Sequence, residues 1–380
     1  MAQRVRTDWT LFFTIVIMVC FGLLMVYSAS SVTADIRLHS VSHFLVRQLG
    51  WAVVSFLALM WLKRRDYRMW QSGRWAFVPL GIVLVLLVAV YFLDWKTHRW
   101  FRMPFGFASF QPSEFAKPAM AIFLAWFVAI RAKAINTRHT ILPAAMALGG
   151  LAIAVVAADL GTAIVLVLTA TVVFYVAGLD RRYFITALCV LALFAAVAVV
   201  SKPYRIARVV GFIPHGYQIL AHIDRSGRIL NYLQQSKTSD TEYQGLQSRI
   251  AIGSGGVLGV GLMQGEQKLF YLPEAHTDFI YAVVGEELGL FGCSAVLAGF
   301  LLLLWRGLRL YWLAHDDFGR YLALAVAASL VFQALMNISV VVGLGPTKGI
   351  PLPMISFGGS SLLSTLISCG LLLSVSDRAG

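Results

Sequence analysis

Leu272-Pro273-Glu274-Ala275-His276-Thr277-Asp278-Phe279-Ile280 leads directly into an apolar run that reaches Leu304 and carries Glu286 and Glu287 in its first part. At 1.5 Å per residue, the run from Asp278 to Leu304 is long enough to cross about 30 Å of hydrocarbon as a helix. Carboxylates inside a membrane helix cost roughly 2.5–3.5 kcal/mol on insertion scales, so they are retained for a purpose. One stretch therefore points both to the class of the chain and to the place where its chemistry lies.

The rest of the chain extends that class. Of its 380 residues, 59% are hydrophobic and only 13% charged, and the mean hydropathy is +0.77. A soluble domain carries about 25% charged residues. Apolar runs of membrane-crossing length recur, and they lack the alternation of barrel strands. The expected fold is an all-α polytopic membrane protein of about ten transmembrane helices. The spans lie near Thr10–Tyr27, Arg47–Leu62, Ala76–Leu93, Glu114–Ile130, Leu142–Ala157, Gly161–Gly178, Tyr183–Val200, Asp278–Leu304, Tyr321–Gly343 and Pro353–Ser374. Residues 1–380 read as a single membrane domain, with a large extracytoplasmic loop, 200–277, between the seventh and eighth helices.

Basic residues set the orientation, because lysine and arginine of short loops stay cytoplasmic. With the N-terminus inside, one side collects Arg4, Arg6, Lys63, Arg64, Arg65, Arg68, Arg74, Arg131, Lys133, Arg138, Arg181, Arg182, Arg306, Arg309, Arg320 and Arg378. The short loops of the other side hold only Arg37, Arg47, Lys96, Arg99, Arg102 and Lys348. Both termini are thus expected in the cytoplasm, and the net charge of +13 reflects this bias. Basic residues dispersed among spans form no stripe for nucleic acid, so no nucleic-acid partner is expected. Cys20, Cys189, Cys293 and Cys369 fall in spans without metal-ligand spacing, which disfavours a disulfide framework or a zinc site. In the long loop, Gly245–Gly261 interleaves glycines with apolar residues, as expected of a re-entrant or amphipathic piece held against the bundle.

Several polar residues invite both a structural and a chemical reading. Asp278 opens the eighth span, where a carboxylate serves as helix N-cap. The cap keeps it ionised, as a general base must be, so the two roles are compatible. Glu286 lies about 12 Å deeper and reads as a buried salt-bridge partner or a polar cavity wall. In Gln111-Pro112-Ser113-Glu114-Phe115-Ala116-Lys117, Glu114 and Lys117 share a helix face, with Ser113 as N-cap. They form a local ion pair, or Lys117 holds an anion. Asp159 reads as turn residue and cap. Arg99, Trp100 and Arg102 form an outer basic-aromatic cluster. Gly253-Ser254-Gly255-Gly256 lacks the lysine and preceding strand of a phosphate loop.

Together and in this order, the pieces resemble the SEDS family (shape, elongation, division and sporulation proteins, RodA and FtsW among them). The matching stretches are Tyr27-Ser28-Ala29-Ser30, Arg99-Trp100, Phe110 through Lys117, and Asp159-Leu160-Gly161-Thr162. Ile252 through Gly256, Leu272–Leu290, and Pro346-Thr347-Lys348-Gly349 through Ser361 complete the set. The wording of Pro346–Gly349 and of Gly358-Gly359-Ser360-Ser361-Leu362 is closer to the FtsW, or division, branch. Ala158, in place of proline, and Gly345, in place of leucine, depart from the pattern.

The resemblance implies a peptidoglycan glycosyltransferase that polymerises lipid II in division or elongation. It implies Asp278 as the essential carboxylate and Glu114–Lys117 as the fourth-span pair. An inverting transfer needs a carboxylate to take the proton of the acceptor hydroxyl and cations near the departing pyrophosphate. Lys117, Arg99 and Lys348 are the candidate cations; His276 and Ser356 are further candidates for substrate binding. No cofactor is called for, and a divalent cation, magnesium or manganese, is left open. Expected partners are lipid II, a class B penicillin-binding protein and other divisome or elongasome membrane proteins. The expected location is the bacterial cytoplasmic (inner) membrane, with the site facing outward. A lipid II flippase and a pure scaffold are the alternatives; against the flippase stands the lack of a repeated half with broken helices.

Overall fold

The computed structural model describes residues 7–94, 97–102, 109–200, 203–213, 239–346 and 349–379. Twelve helices are described: α1 Trp9–Leu38, α2 His43–Arg64, α3 Gly73–Leu93, α4 Pro112–Arg131, α5 Arg138–Ala158, α6 Leu160–Val176, α7 Arg181–Val200, α8 Pro203–Phe212, α9 Ser239–Gly255, α10 Ile280–Leu313, α11 Asp317–Val342 and α12 Gly359–Arg378. A two-stranded ribbon, β1 Phe101–Arg102 and β2 Ser109–Phe110, pairs Phe101 with Phe110 ahead of α4. Among the described residues, nine helices are long and apolar enough to cross a membrane, and α6 is shorter.

Both ends of α6 are anchored. Its start is capped by Asp159, whose Oδ1 accepts from Gly161 N at 2.8 Å and whose Oδ2 is paired with Arg99. Its far end is tied to the α4–α5 linker, where Asn136 Nδ2 donates to Gly178 O and Asn136 Oδ1 accepts from Asp180 N. Both ends of this shorter apolar helix are thus held by other segments of the bundle. The described ends of the chain lie close together, Lys63 meeting both Thr7 and Asp377. There Arg306 meets Asp8, Lys63 meets Asp377 at 3.5 Å, and the Tyr67 hydroxyl donates to Asp316.

Burial separates centre from rim. The apolar window of α12 is 83% buried, against 11% for α7, although α12 is the less apolar of the two. Serine, threonine and glycine make the difference, because helices in lipid associate through close packing of small residues and hydrogen bonds. Ser374 Oγ donates to Arg65 O at 2.6 Å, and a Cβ on Gly370 would lie 2.9 Å from Leu59 O.

Among the boundaries that differ from the sequence reading, three bear on caps and helix ends. Helix α1 continues to Leu38, where His39 ends it in the left-handed region. Asp278 is not a cap: α10 begins at Ile280 after Phe279, and no side chain caps it. Ser113 is not the cap of α4 either; that position is Gln111, whose Nε2 donates to Ser113 Oγ.

Helix α10 is also broken. Gly289 has φ 62° and ψ −156°, a region that is essentially glycine-only. Breaking a membrane helix frees backbone groups that lipid cannot satisfy. Here the 256–261 segment satisfies them: Val260 N and Gly261 N donate to Glu286 O and Glu287 O, while Gly256 O and Val257 O accept from Leu290 N and Phe291 N. Of the Gly245–Gly261 stretch that the sequence suggested as re-entrant or amphipathic, the part up to Gly255 belongs to α9 and residues 256–261 pair with the helix break. A Cβ at Gly255 would lie 2.0 Å from Gly285 O, and one at Gly259 2.2 Å from Glu287 O, so these two glycines serve backbone contact.

Candidate functional site

Pro118 inside α4 prepares the site. Having no N–H, it leaves the Glu114 carbonyl without its helical donor. Ser364 Oγ of α12 takes that carbonyl at 2.6 Å, which docks α12 beside the Glu114–Lys117 pair. Lys117 Nζ donates to Glu114 Oε2 at 2.7 Å, and the two side chains are 3% and 1% exposed. Lys117 also donates to Gln333 Oε1. Glu114 Oε1 has no hydrogen-bond partner among the described residues.

From α11, Gln333 and Asn337 stand four residues apart and face one way. Gln333 Nε2 donates to Pro351 O at 2.8 Å. Asn337 Nδ2 donates to Ile350 O and Asp278 O, both at 2.7 Å. These two amides thus hold the 349–351 segment, the Asp278 backbone and Lys117 in one frame. Sequence reading missed both; the available signal was a pair of amides inside an otherwise apolar span.

Asp278 itself is half-buried, and its carboxylate lies against the Gly349 backbone, where an added Cβ would sit 2.5 Å from Oδ2. Burial lifts its carboxyl to about 7, with the nearby Arg99 guanidinium pulling the other way. Arg99 Nη2 donates to Asp159 Oδ2 at 3.2 Å and to Gly349 O at 3.4 Å. Its loop is fixed because Arg99 N and Trp100 N both donate to Asp94 Oδ2 at 3.2 Å.

The remaining predicted residues divide. His276 packs its ring between Phe44 and Phe357, with centroids at 4.6 and 5.5 Å, and burial pushes its imidazole below the usual range. Ser356 Oγ donates to Thr277 O and accepts from Leu352 N at 2.8 Å. Its hydroxyl ties the loop before α12 to the Asp278 loop. Lys348 lies outside the described residues, as does the Arg102 side chain. Glu286 and Glu287 are both buried, away from this frame and around the helix break. Glu286 Oε1 accepts from Glu266 N and Gln267 N at 2.8 and 3.1 Å. Glu287 pairs with Lys268 at 2.5 Å and accepts from Ser28. Among the described residues, no three His, Cys, Asp or Glu side chains converge on a metal position.

Comparison with known proteins bears on this geometry. Residues 8–379 match the FtsW/RodA/SpoVE family, described as cell cycle proteins. The chain is 40% identical to a probable peptidoglycan glycosyltransferase FtsW of Geobacter sulfurreducens, over 98% of this chain and 96% of that protein. It is 36% identical to stage V sporulation protein E of Bacillus subtilis, over 98% of each. Among solved structures it resembles the rod shape determining protein RodA of Thermus thermophilus, with TM-score 0.67, 25% identity, and 98% and 97% of the two chains covered. It also resembles a chain of a peptidoglycan synthase complex that coordinates polymerization and crosslinking, with TM-score 0.69, 26% identity and 98% of each chain covered.

Proposed function

The chain belongs to the FtsW/RodA/SpoVE family of cell cycle proteins, and from that premise we infer that it is a peptidoglycan glycosyltransferase. It polymerises lipid II into glycan strands, releasing undecaprenyl pyrophosphate, in cell division or cell-wall elongation. Residues 1–380 act as one membrane domain in the bacterial cytoplasmic membrane, with both termini in the cytoplasm and Asp278 facing outward.

The observation that carries the chemistry is the state of Asp278. It caps no helix, its backbone is held by Asn337, and burial lifts its carboxyl to about 7, where a general base is most effective. In the reaction the acceptor hydroxyl loses its proton to Asp278 as its oxygen bonds to the donor's anomeric carbon. The bond from that carbon to the pyrophosphate oxygen breaks with inversion, and the electron pair leaves with the polyprenyl pyrophosphate. Lys117, linked to Pro351 through Gln333, and Arg99, bonded to Gly349 O, are the cations placed for pyrophosphate charge. Glu114 and Gln333 orient Lys117, and Asp159 orients Arg99. No resident cofactor enters these steps; a divalent cation, which binds phosphate oxygens with one or two carboxylates, would arrive with the substrate.

Likeness to a synthase complex that polymerises and crosslinks supports a class B penicillin-binding protein as partner. The flippase alternative gains nothing from Glu286 and Glu287, because both are buried in contacts at the helix break. Purified chain, with and without a class B partner, should convert labelled lipid II into long glycan products on a gel. Transbilayer movement of lipid II in vesicles without any polymer would reverse the assignment.

A further inference from the structure

The segment that carries Asp278 is held by its carbonyls. His276 O accepts from Phe357 N at 2.9 Å, Thr277 O from Ser356 Oγ at 2.5 Å, and Asp278 O from Asn337 Nδ2 at 2.7 Å. Three successive carbonyls are thus matched by groups from a distant part of the chain, and two of these groups belong to the turn at 356–357. Residues on both segments show how firmly they are held. Glu274 and Met354 have φ 58° and 66°, a left-handed conformation that a non-glycine residue keeps where its surroundings over-determine it.

The turn in turn is held from α2. Gln48, 2% exposed, donates from Nε2 to Ser356 O and accepts at Oε1 from Gly358 N, each at 3.2 Å. One amide therefore grips both peptide units that flank Phe357, the residue whose N–H holds His276. Phe44 and Trp51 lie four residues before and three after Gln48, so the three side chains share one face of α2. Phe44 packs its ring on His276 and on Phe357, with centroids at 4.6 and 5.3 Å. Trp51 covers the start of α12, where a Cβ on Gly359 would lie 2.3 Å from its ring. Docking α12 needs the bond from Gly358, its N-cap. The second bond, to Ser356 O, bears on the turn and through it on the Asp278 segment.

We propose that Gln48 is a positioning residue for the reaction, acting through the Ser356–Phe357 turn to set where the Asp278 carboxylate stands. This rests on the glycosyltransferase reading above. A base works within hydrogen-bond reach of the proton it takes, and a misplacement of about 1 Å can cost 10²-fold in rate. The Gly349 backbone packs on the Asp278 carboxylate, with an added Cβ 2.5 Å from Oδ2. Loosening the turn moves the carboxylate off this neighbour and lets water reach it.

The test compares three variants of the full chain. Gln48→Met keeps the side-chain length and loses both bonds, Gln48→Glu keeps an acceptor for Gly358 N, and Trp51→Leu loosens the start of α12. Each is assayed on lipid II with the class B partner across pH, with rates taken per folded chain and melting temperatures measured alongside. Gln48→Met should lower kcat and kcat/KM together, by about 10²-fold, with Gln48→Glu in between. Its activity midpoint should fall from about 7 as the carboxylate gains water. Arg99, Glu274, Asp159 and Glu114, the charged groups that act on Asp278, are unchanged in these variants. Trp51→Leu should lower the melting temperature and leave the midpoint unmoved. Parent-like rates and midpoint in Gln48→Met would overturn the proposal. An equal midpoint shift in Trp51→Leu would also overturn it, by reducing Gln48 to an anchor for α12. The pH dependence of carbodiimide labelling at Asp278, read by mass spectrometry, follows the carboxyl without catalysis. If the parent makes no polymer, the glycosyltransferase reading fails, and the labelling still decides the positioning role. A curve shifted by Gln48→Met and not by Trp51→Leu upholds it, and coincident curves overturn it.

Discussion

Lys117 and Glu114 meet at 2.7 Å on α4, and Lys268 and Glu287 meet at 2.5 Å between the outer loop and α10; both pairs are almost wholly excluded from solvent. Their surroundings differ. Glu287 accepts from Ser28 through both oxygens, and Lys268 donates to the same serine at 3.1 Å. That cluster is closed on itself and braces the segment that satisfies the broken helix. At Glu114, by contrast, one buried carboxylate oxygen stays unmatched, and the lysine reaches through Gln333 toward the Asp278 frame. A buried ion pair with every group matched holds a fold. One with an unmatched oxygen beside a titrating carboxylate has capacity left for a substrate.

The sharpest way to break that contrast is at Asp278. Asp278→Asn should lower polymerisation by about 10²–10⁴-fold, the usual contribution of a general base, with the chain still folded and membrane-inserted. Near-normal glycan synthesis by this variant would return Asp278 to a structural role.

Next comes the closed pair. Lys268→Met leaves Glu287 buried and uncompensated, which should cost about 3–5 kcal/mol, whereas replacing both partners with apolar residues should restore most of the loss. Thermal melts in detergent measure this, and the restored double variant should polymerise. The equivalent double replacement at Lys117 and Glu114 should keep its fold and lose activity. If the two double variants behave alike, the two pairs are not functionally distinct.

The helix break offers a smaller effect. Gly289→Ala forces a side chain into a glycine-only conformation, which costs of order 1–3 kcal/mol. The added Cβ would also lie 2.4 Å from Gly259 N. Lower melting temperature and faster hydrogen exchange across residues 256–261 are expected. An unaltered melt would mean that α10 straightens freely.

The mildest probe is pH. Activity should rise with pH through a midpoint near 7, because protonated Asp278 accepts no proton. Its folded pKa is raised from 3.8 to about 7, so the stability present with the protonated carboxyl below 3.8 is lost as pH rises through about 7. Asp278→Asn should flatten that part of the stability profile. A midpoint near 4 for activity would show that Asp278 is not buried as described.

Much of the frame was legible in the chain itself. Apolar runs and the bias of basic residues predict ten crossings with both ends on one face, because lipid demands long apolar helices whatever packs beside them. Glu114 and Lys117 pair as their spacing predicts, and Asp159 caps α6 as its turn position predicts. These are local relations, set by helix geometry over three or four residues.

Longer-range relations were not legible. Asp278 looked like a cap because carboxylates at helix starts usually are, yet the Glu274 and Phe279 backbone closes that turn by itself, with Phe279 N donating to Glu274 O. Gln333 and Asn337 carry no local sign of their targets, since Pro351, Ile350 and Asp278 come from other segments. The Lys268–Glu287–Ser28 cluster spans 259 residues of sequence, and no spacing rule reaches that far. The sequence by itself determined the membrane class, the spans and the polar residues that lipid would not tolerate without cause. Only the tertiary structure decided which of them were matched as ballast and which stood open beside Asp278, because a buried charge is defined by the partners that the fold brings to it.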